Sequence, residues 1–310
     1  MKVSAIIPAF NAANTITRAV DSVLAQSHPF DEVLIIDDGS TDNTAEIVRN
    51  YGDEIRYFYQ NNTGLSGAMN FGIKQARGEW IAVLDADDEW LPGFVKSHVK
   101  LISKSPDVKW TYCRHEEVTQ NGRRCVQIPQ AVEEEIEREG FLSYFRVALA
   151  GFGFGKCGFM IKRSVFDELG NFDPAMPNGM DRDMWRRIAL RYPRIAVCGE
   201  VRWRWYRDNP VSLSRRGAGS RDLQLKSLCR NMHRAIELGS EVVNEYRPFA
   251  RMLAMDYLLI EAGTECFISS DTIEDAKSLF PLTVRERVML RILRLLPKPI
   301  ALKVVGRLSL

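Results

Sequence analysis

The sequence predicts an α/β fold: a mixed, mainly parallel sheet flanked by helices, with a helical C-terminal extension. Two apolar runs carry most of that prediction, Val33-Leu34-Ile35-Ile36 and Trp80-Ile81-Ala82-Val83-Leu84. Continuous apolar runs rich in β-branched residues mark strands buried on both faces, as parallel-sheet strands are. Strand and helix signals alternate over roughly the first 100 residues, the pattern of βαβ units with right-handed crossovers. From about residue 221 the texture turns helical, dominated by Leu, Met, Ala and Arg.

Taken in order, residues 2–8 read as a first strand. The loop Ala9-Phe10-Asn11-Ala12-Ala13 follows, and Asn14 is the expected N-cap of a helix with Ile16, Val20, Val23 and Leu24 on one face. A second strand spans 32–37, and Ser40 is expected to cap a helix reaching Val48. A third strand lies near 55–59. The loop Asn62-Thr63-Gly64-Leu65-Ser66-Gly67 leads into a helix to about Ala76, and a fourth strand covers 80–85. Residues 108–130 have β character. The acidic stretch 133–137 is expected to precede a helix toward Leu149, and Gly151-Phe152-Gly153-Phe154-Gly155 is a flexible, substrate-facing loop without phosphate-loop spacing.

Composition narrows the function classes. The chain has 310 residues and a net charge of +2, which gives no support to nucleic-acid binding. Its six cysteines form no Cys-x-x-Cys pair, so neither zinc nor thioredoxin-like chemistry is indicated. They read as reduced thiols of a cytoplasmic chain. There is no basic start followed by an apolar leader, and no run approaches the ~20 apolar residues that a membrane span needs.

Function is written at the strand ends. Asp37 and Asp38 end one apolar run; Asp85, Asp87 and Asp88 end the other. Ligands of open parallel sheets bind beyond the carboxyl ends of the strands. Carboxylates gathered there repel one another, and a divalent cation with an anionic ligand removes that cost. The pattern therefore predicts a metal–diphosphate site. Carboxylate oxygens are hard ligands and favour Mg²⁺ or Mn²⁺. In an extended segment, Asp85 and Asp87 point the same way. The blander reading is a pair of solvated turns, and Asp-Gly-Ser is itself a common turn.

A third acidic site, Asp181-Arg182-Asp183-Met184-Trp185, begins a helix, where carboxylates are stabilised by the helix dipole alone. In Val201-Arg202-Trp203-Arg204-Trp205-Tyr206-Arg207 the aromatics suit stacking on a sugar and the arginines suit phosphate, unless the run is simply an amphipathic strand. Residues 283–310 carry Arg285, Arg287, Arg291, Arg294, Lys298, Lys303 and Arg307 against Glu286. They suit either an anionic membrane surface or ordinary helix packing.

Together these motifs resemble the family 2 inverting glycosyltransferases of GT-A fold, of the bacterial cell-surface polysaccharide type. The resemblance covers roughly residues 2–214. It rests on Val3-Ser4-Ala5-Ile6-Ile7-Pro8-Ala9-Phe10-Asn11, Asp37-Asp38-Gly39-Ser40-Thr41-Asp42, Asn62-Thr63-Gly64, Asp85-Ala86-Asp87-Asp88, Gly170-Asn171-Phe172-Asp173 and Asp181-Arg182-Asp183-Met184-Trp185, in that order. It implies a Rossmann-like domain over 1–217, with a nucleotide-sugar half (about 1–105) and an acceptor half (about 106–217), followed by helical residues 218–310. Pro8, Ala9, Phe10, Asn11, Asp38, Gly64 and Asp85 would bind a nucleotide-sugar, one carrying UDP in this family's habit. Asp87, with Asp85, would hold Mn²⁺ or Mg²⁺. Asp181 would be the general base. Asp88, Gly155, Asp183, Trp185 and Arg207 would face the acceptor, a glycan or lipid-linked saccharide. A lipid-linked acceptor would suit the cytoplasmic face of an inner membrane.

The sequence departs from the family at three places. Met180 stands for the usual Glu before the base, Asn209 for a His that can assist the metal, and Met69 for an Arg ahead of Asn70-Phe71-Gly72. Two other functions compete. A non-catalytic nucleotide-sugar-binding protein is compatible with Met180 and Asn209. A nucleotidyltransferase would want a basic, Gly-rich loop near the N-terminus, and no Lys or Arg occurs between Pro8 and Arg18.

Overall fold

A computed structural model describes residues 1–208, 221–263 and 268–295. The first half alternates as expected: β1 (Val3–Ala9), α1 (Ile16–Leu24), β2 (Glu32–Asp37), α2 (Thr44–Arg49), β3 (Arg56–Tyr59), α3 (Gly64–Gln75) and β4 (Trp80–Val83). The second half is more broken. It runs β5 (Glu89–Trp90), α4 (Phe94–Lys104), β6 (Trp110–Thr119), β7 (Gly122–Cys125), α5 (Gln130–Glu139), β8 (Phe141–Ser143), α6 (Tyr144–Leu149), β9 (Phe159–Lys162), α7 (Arg163–Leu169), α8 (Met180–Arg191) and β10 (Arg194–Tyr206). Four helices follow: α9 (Arg221–Leu238), α10 (Ser240–Gly263), α11 (Ser270–Leu279) and α12 (Val284–Leu295).

One sheet runs through the molecule in the order β3-β2-β1-β4-β9-β6-β10-β5, with β7 beside β6 and β8 beside β10. The β3-β2-β1-β4 segment is wholly parallel. Beyond it β9 enters antiparallel between β4 and β6, while β6 and β10 run parallel. The pleat divides the core. Ile6, Leu34 and Ile36 join the apolar layer under α3, α8 and the C-terminal helices. Val3, Ala5, Ile7, Val33 and Ile35 join the layer under α1 and α4. Every residue of β1 is buried, as a central parallel strand requires.

Several local expectations shift. Thr15, not Asn14, precedes α1, and the first-turn amides of Thr15 and Ile16 donate to the Ala12 carbonyl instead of to a side-chain cap. Ser40 caps no helix, because its Oγ accepts from the Asn11 amide and ties two loops together; α2 starts later, after Asn43. Helix α3 begins at Gly64, inside the expected loop. The acidic stretch 133–137 lies within α5, not ahead of it. The expected boundary near 217 and a second helix from 300 lie outside the described residues. The helical C-terminal region packs against the rest of the fold: Leu225, Leu228 and Met232 of α9, Tyr246 and Phe249 of α10, and Leu290 of α12 share one apolar cluster with Ile6. Among the described residues, no helix is long and apolar enough to cross a membrane.

Candidate active site

The carboxyl ends of β1, β2 and β4 open on a cavity of about 1160 Å³. That exceeds the usual ~300–1,000 Å³ of a small-ligand pocket. Pro8, Ala9, Phe10, Asn11, Asp38, Gly64, Asp85, Asp87, Asp88, Gly155 and Asp181 all line it. Strands β2 and β4 both flank β1, which brings their acidic ends to one place.

The members do different work. Asp37 does not line the cavity: its Oδ1 accepts the Ser40 amide at 2.8 Å and its Oδ2 the Tyr57 hydroxyl at 2.7 Å, so it builds the turn. Asp38 does line it, and its Oδ1 accepts from Gln60 Nε2 (2.7 Å) and the Thr63 amide (2.9 Å). It thereby seats the Asn62–Gly64 loop in the cavity wall. Asn11 is the one non-glycine residue with positive φ (49°) among the described residues, and its Oδ1 accepts the Thr41 amide at 2.8 Å. Its side chain is committed to joining loops.

The Asp85-Ala86-Asp87-Asp88 loop is pinned from three sides. Arg18 of α1 donates to the Asp87 carbonyl and stacks on Tyr206, 3.7 Å from the ring centroid. The Tyr206 amide donates to Asp88 Oδ1 at 3.0 Å. The Cys157 thiol donates to Asp88 Oδ2 at 3.3 Å. Asp88 is therefore an inward, 2%-exposed carboxyl and not a group open to an acceptor. Burial, with the Asp85 and Asp87 charges, pushes its pKa well above the usual carboxylate range.

Sequence reasoning missed Lys156. It follows the glycine-rich loop, lines the cavity and forms an ion pair with Asp85. Burial opposes its charge, but Asp85, with help from Cys157 and Asp181, outweighs burial and raises its pKa above the ordinary lysine value. No spacing in the sequence marks it; only the apolar run Phe159-Met160-Ile161 after it, which forms β9, could have placed it beside β4. Gly155 has a packing reason: a Cβ there would meet the Trp203 ring at 2.4 Å. His115 was also missed. It lines the cavity, stacks on Trp203 with centroids 4.4 Å apart, and is pushed down to about 4 by burial, hence neutral at physiological pH.

Helix α8 starts at the cavity after Gly179, whose φ of 77° suits glycine. Asp181 in its first turn faces the cavity, and Met180 lines it while buried in the apolar core. Asp183 does not face an acceptor. It is 3% exposed, its Oδ1 accepting from Ser227 Oγ (2.5 Å) and Asn231 Nδ2 (3.2 Å) and its Oδ2 from Arg187 Nε (2.9 Å). Burial raises its pKa, but Arg187 and Ser227 outweigh burial and hold it below the usual value. Trp185 is likewise core, 2% exposed and 4.3 Å from the Phe159 ring. Arg207 lies outside the cavity lining, its guanidinium on Glu117 (2.9 Å) and over Trp205. Arg202 and Arg204, read as phosphate partners, instead hold Ser97, Glu116 and Glu89. Asn209 lies outside the described residues.

The metal question turns on donor chemistry. Asp85, Asp88 and Cys157 bring their ligand atoms within 4.8 Å of one another. Cys157 is a soft ligand, so Mg²⁺ or Mn²⁺ would favour the carboxylate oxygens over its sulfur. Asp85 and Asp87, half-buried at the cavity wall, offer hard oxygen ligands of the kind such ions take.

Residues 4–170 match the family model described as glycosyl transferase family 2. An uncharacterized glycosyltransferase of Rickettsia typhi is 33% identical over 203 residues, 64% of this chain and 62% of the relative. The matches span between 27% and 62% of the first relatives' own lengths. Among solved structures, S. aureus TarS 1–349 in complex with UDP-GlcNAc aligns with a TM-score of 0.71 at 17% identity, covering 99% of this chain and 91% of that one. A mannosyltransferase of Pyrobaculum calidifontis in complex with GDP-Man and Mn²⁺ aligns with a TM-score of 0.57 at 18% identity, covering 99% and 86%. Asp181 lies beyond the stretch matched by the family model.

Proposed function

The chain belongs to glycosyl transferase family 2, and on that premise we propose that it moves a sugar from a nucleotide-sugar, UDP-linked, to an acceptor hydroxyl with inversion at the anomeric carbon. One observation carries the reading: Asp38, the Asp85–Asp87 pair and Asp181, from separate elements, line one cavity wide enough for donor and acceptor together.

The nucleoside lies over Pro8–Asn11 and Asp38, and the diphosphate reaches toward Asp85 and Asp87. Those two carboxylates would hold Mn²⁺ or Mg²⁺, which when bound supplies Lewis-acid stabilisation of the departing diphosphate. Asp181 accepts the acceptor's proton as its oxygen attacks the sugar. The logic is that of an inverting glycosidase's base, with an alcohol in place of water. Met180 leaves this role intact, because its apolar side chain packs into the core while the carboxylate at this helix start that lines the cavity is that of Asp181.

The acceptor is a glycan or lipid-linked saccharide. A membrane-borne acceptor is supported by α12, where Val284 (74% exposed) and Val288 (49% exposed) sit among the exposed Arg285 and Arg287. Vesicles containing anionic lipid should retain the wild type and lose Arg285→Gln/Arg287→Gln; equal retention would remove the membrane from this reading.

The deciding experiment incubates the protein with Mn²⁺ and a panel of nucleotide-sugars and measures nucleoside diphosphate release. Release with at least one donor, suppressed in Asp181→Asn, is expected. Donor binding without release above background would instead indicate a non-catalytic binding protein.

A further inference from the structure

The cavity wall carries more acid than base. Asp38, Asp85, Asp87 and Asp181 line it, yet the ligand proposed for it is a diphosphate anion. Three Lys or Arg residues line it among the described residues: Arg124, Arg182 and Lys156. Arg124 is 78% exposed and paired with Glu117, and Arg182 is exposed. Lys156 differs from both. Its side chain is 9% exposed, and its ammonium is paired with Asp85 of the Asp-x-Asp loop.

Its backbone is fixed on both sides. Gly155 is wedged against the Trp203 ring, the Cys157 carbonyl accepts from Trp90 Nε1 at 2.7 Å, and the Cys157 sulfur accepts the Asp85 amide at 3.3 Å. The lysine is thus locked to the loop that would meet the donor's phosphates. An ammonium has three donors. One to Asp85 leaves two for phosphate oxygens. A fixed cation in a dry wall stabilises an anion far better than a mobile one in water.

Resting on the donor-site reading above, we propose that Lys156 binds the donor's diphosphate directly, bridging it to Asp85 and giving the site a phosphate contact that needs no metal. Asp85 then serves as the anchor of that cation as well as one of the two carboxylates that would hold a metal. As the bond between the sugar and its diphosphate breaks, the electron pair passes to the diphosphate oxygen, and this ammonium stabilises the charge that develops there.

The test compares a nucleotide with its own nucleoside, so that phosphate contacts separate from base contacts. Full-length protein in EDTA is titrated calorimetrically with UDP, uridine, GDP and guanosine, and again with Mn²⁺. In EDTA the wild type should bind one diphosphate about tenfold to a hundredfold tighter than its nucleoside, the range for hydrogen bonds to charged groups. Lys156→Met and Lys156→Gln should lose that preference with nucleoside affinity unchanged, and Lys156→Arg should retain most of it. Gln keeps a hydrogen bond to Asp85, so it covers the case in which Met does not fold. A diphosphate preference in EDTA that survives in either neutral variant overturns the assignment, as does a wild type that shows no such preference without metal. A wild type that binds neither nucleotide, even with Mn²⁺, overturns the donor-site reading itself.

Discussion

The chain contains two Asp-x-Asp sequences, Asp85-Ala86-Asp87 and Asp181-Arg182-Asp183, and they behave in opposite ways. The first follows β4 not in the extended segment expected but in a turn closed by the Asp88 amide on the Asp85 carbonyl (3.0 Å), and both residues line the cavity. The second opens α8, where two residues amount to ~200° of rotation. Asp181 therefore faces the cavity while Asp183 turns back into the protein, bound to Arg187, Ser227 and Asn231. Identical spacing yields a pair of site groups in one place, and one site group plus one interhelix fastener in the other. The local backbone, a turn in one case and a helix in the other, decides.

This contrast can be broken at its extremes. Asp181→Asn should lower turnover by ~10²–10⁴-fold with nucleotide affinity retained, as loss of a general base does. Near-wild-type turnover in a donor assay would dismiss Asp181 as base. Asp183→Ala should cost stability instead, about 3–5 kcal/mol by denaturant titration, because it strands the buried Arg187 charge. A variant as stable as wild type would show the fastener to be dispensable. The Asp183 contribution also has a pH signature. Its folded pKa lies below the ordinary 3.8, so its stabilisation is complete above that value and is lost as pH falls through the lower folded one. The stability gap between wild type and Asp183→Asn should therefore close in strong acid.

Two smaller effects sharpen the comparison. Asp87→Ala should remove the Mn²⁺-dependent part of nucleotide binding, about tenfold or more, while leaving binding in EDTA unchanged. An unaltered response to Mn²⁺ would move the metal elsewhere. Trp185→Phe should cost about 1–2 kcal/mol of stability through the volume it removes and leave nucleotide affinity alone, since its ring only packs and its buried Nε1 has no partner. A loss of nucleotide affinity would return Trp185 to the site.

Legibility followed the same division. The strands β1, β2 and β4 were readable because a central parallel strand needs apolar residues on both faces, and their acidic ends interrupt that run sharply. Asp183 and Trp185 were misplaced because a helix start with two acids and an aromatic reads alike whether it borders a cavity or a neighbouring helix. What distinguishes them is α9, more than 40 residues downstream, which brings Ser227 and Asn231 to Asp183. Lys156 had no local signature, since its meaning comes from β9 entering antiparallel beside β4. Arg187 was equally silent. It donates to the carbonyls of Leu169, Gly170 and Asn171, which gives the Gly170-Asn171-Phe172-Asp173 motif its fixed shape. Asn70 completes that anchorage through paired bonds to the Phe172 backbone at 2.9 and 3.0 Å.

Gln224 of α9 donates to the Asn178 carbonyl at 3.1 Å, directly beneath the turn at Gly179 that aims Asp181. Shortening the protein at the end of β10, to isolate an apparently self-sufficient enzymatic half, would pull out that prop and strip the greasy underside of α8 at once. A fragment of that kind should clump and stay inert even with every cavity-facing acid present, so the rear helices are better regarded as the foundation under Asp181 than as an accessory.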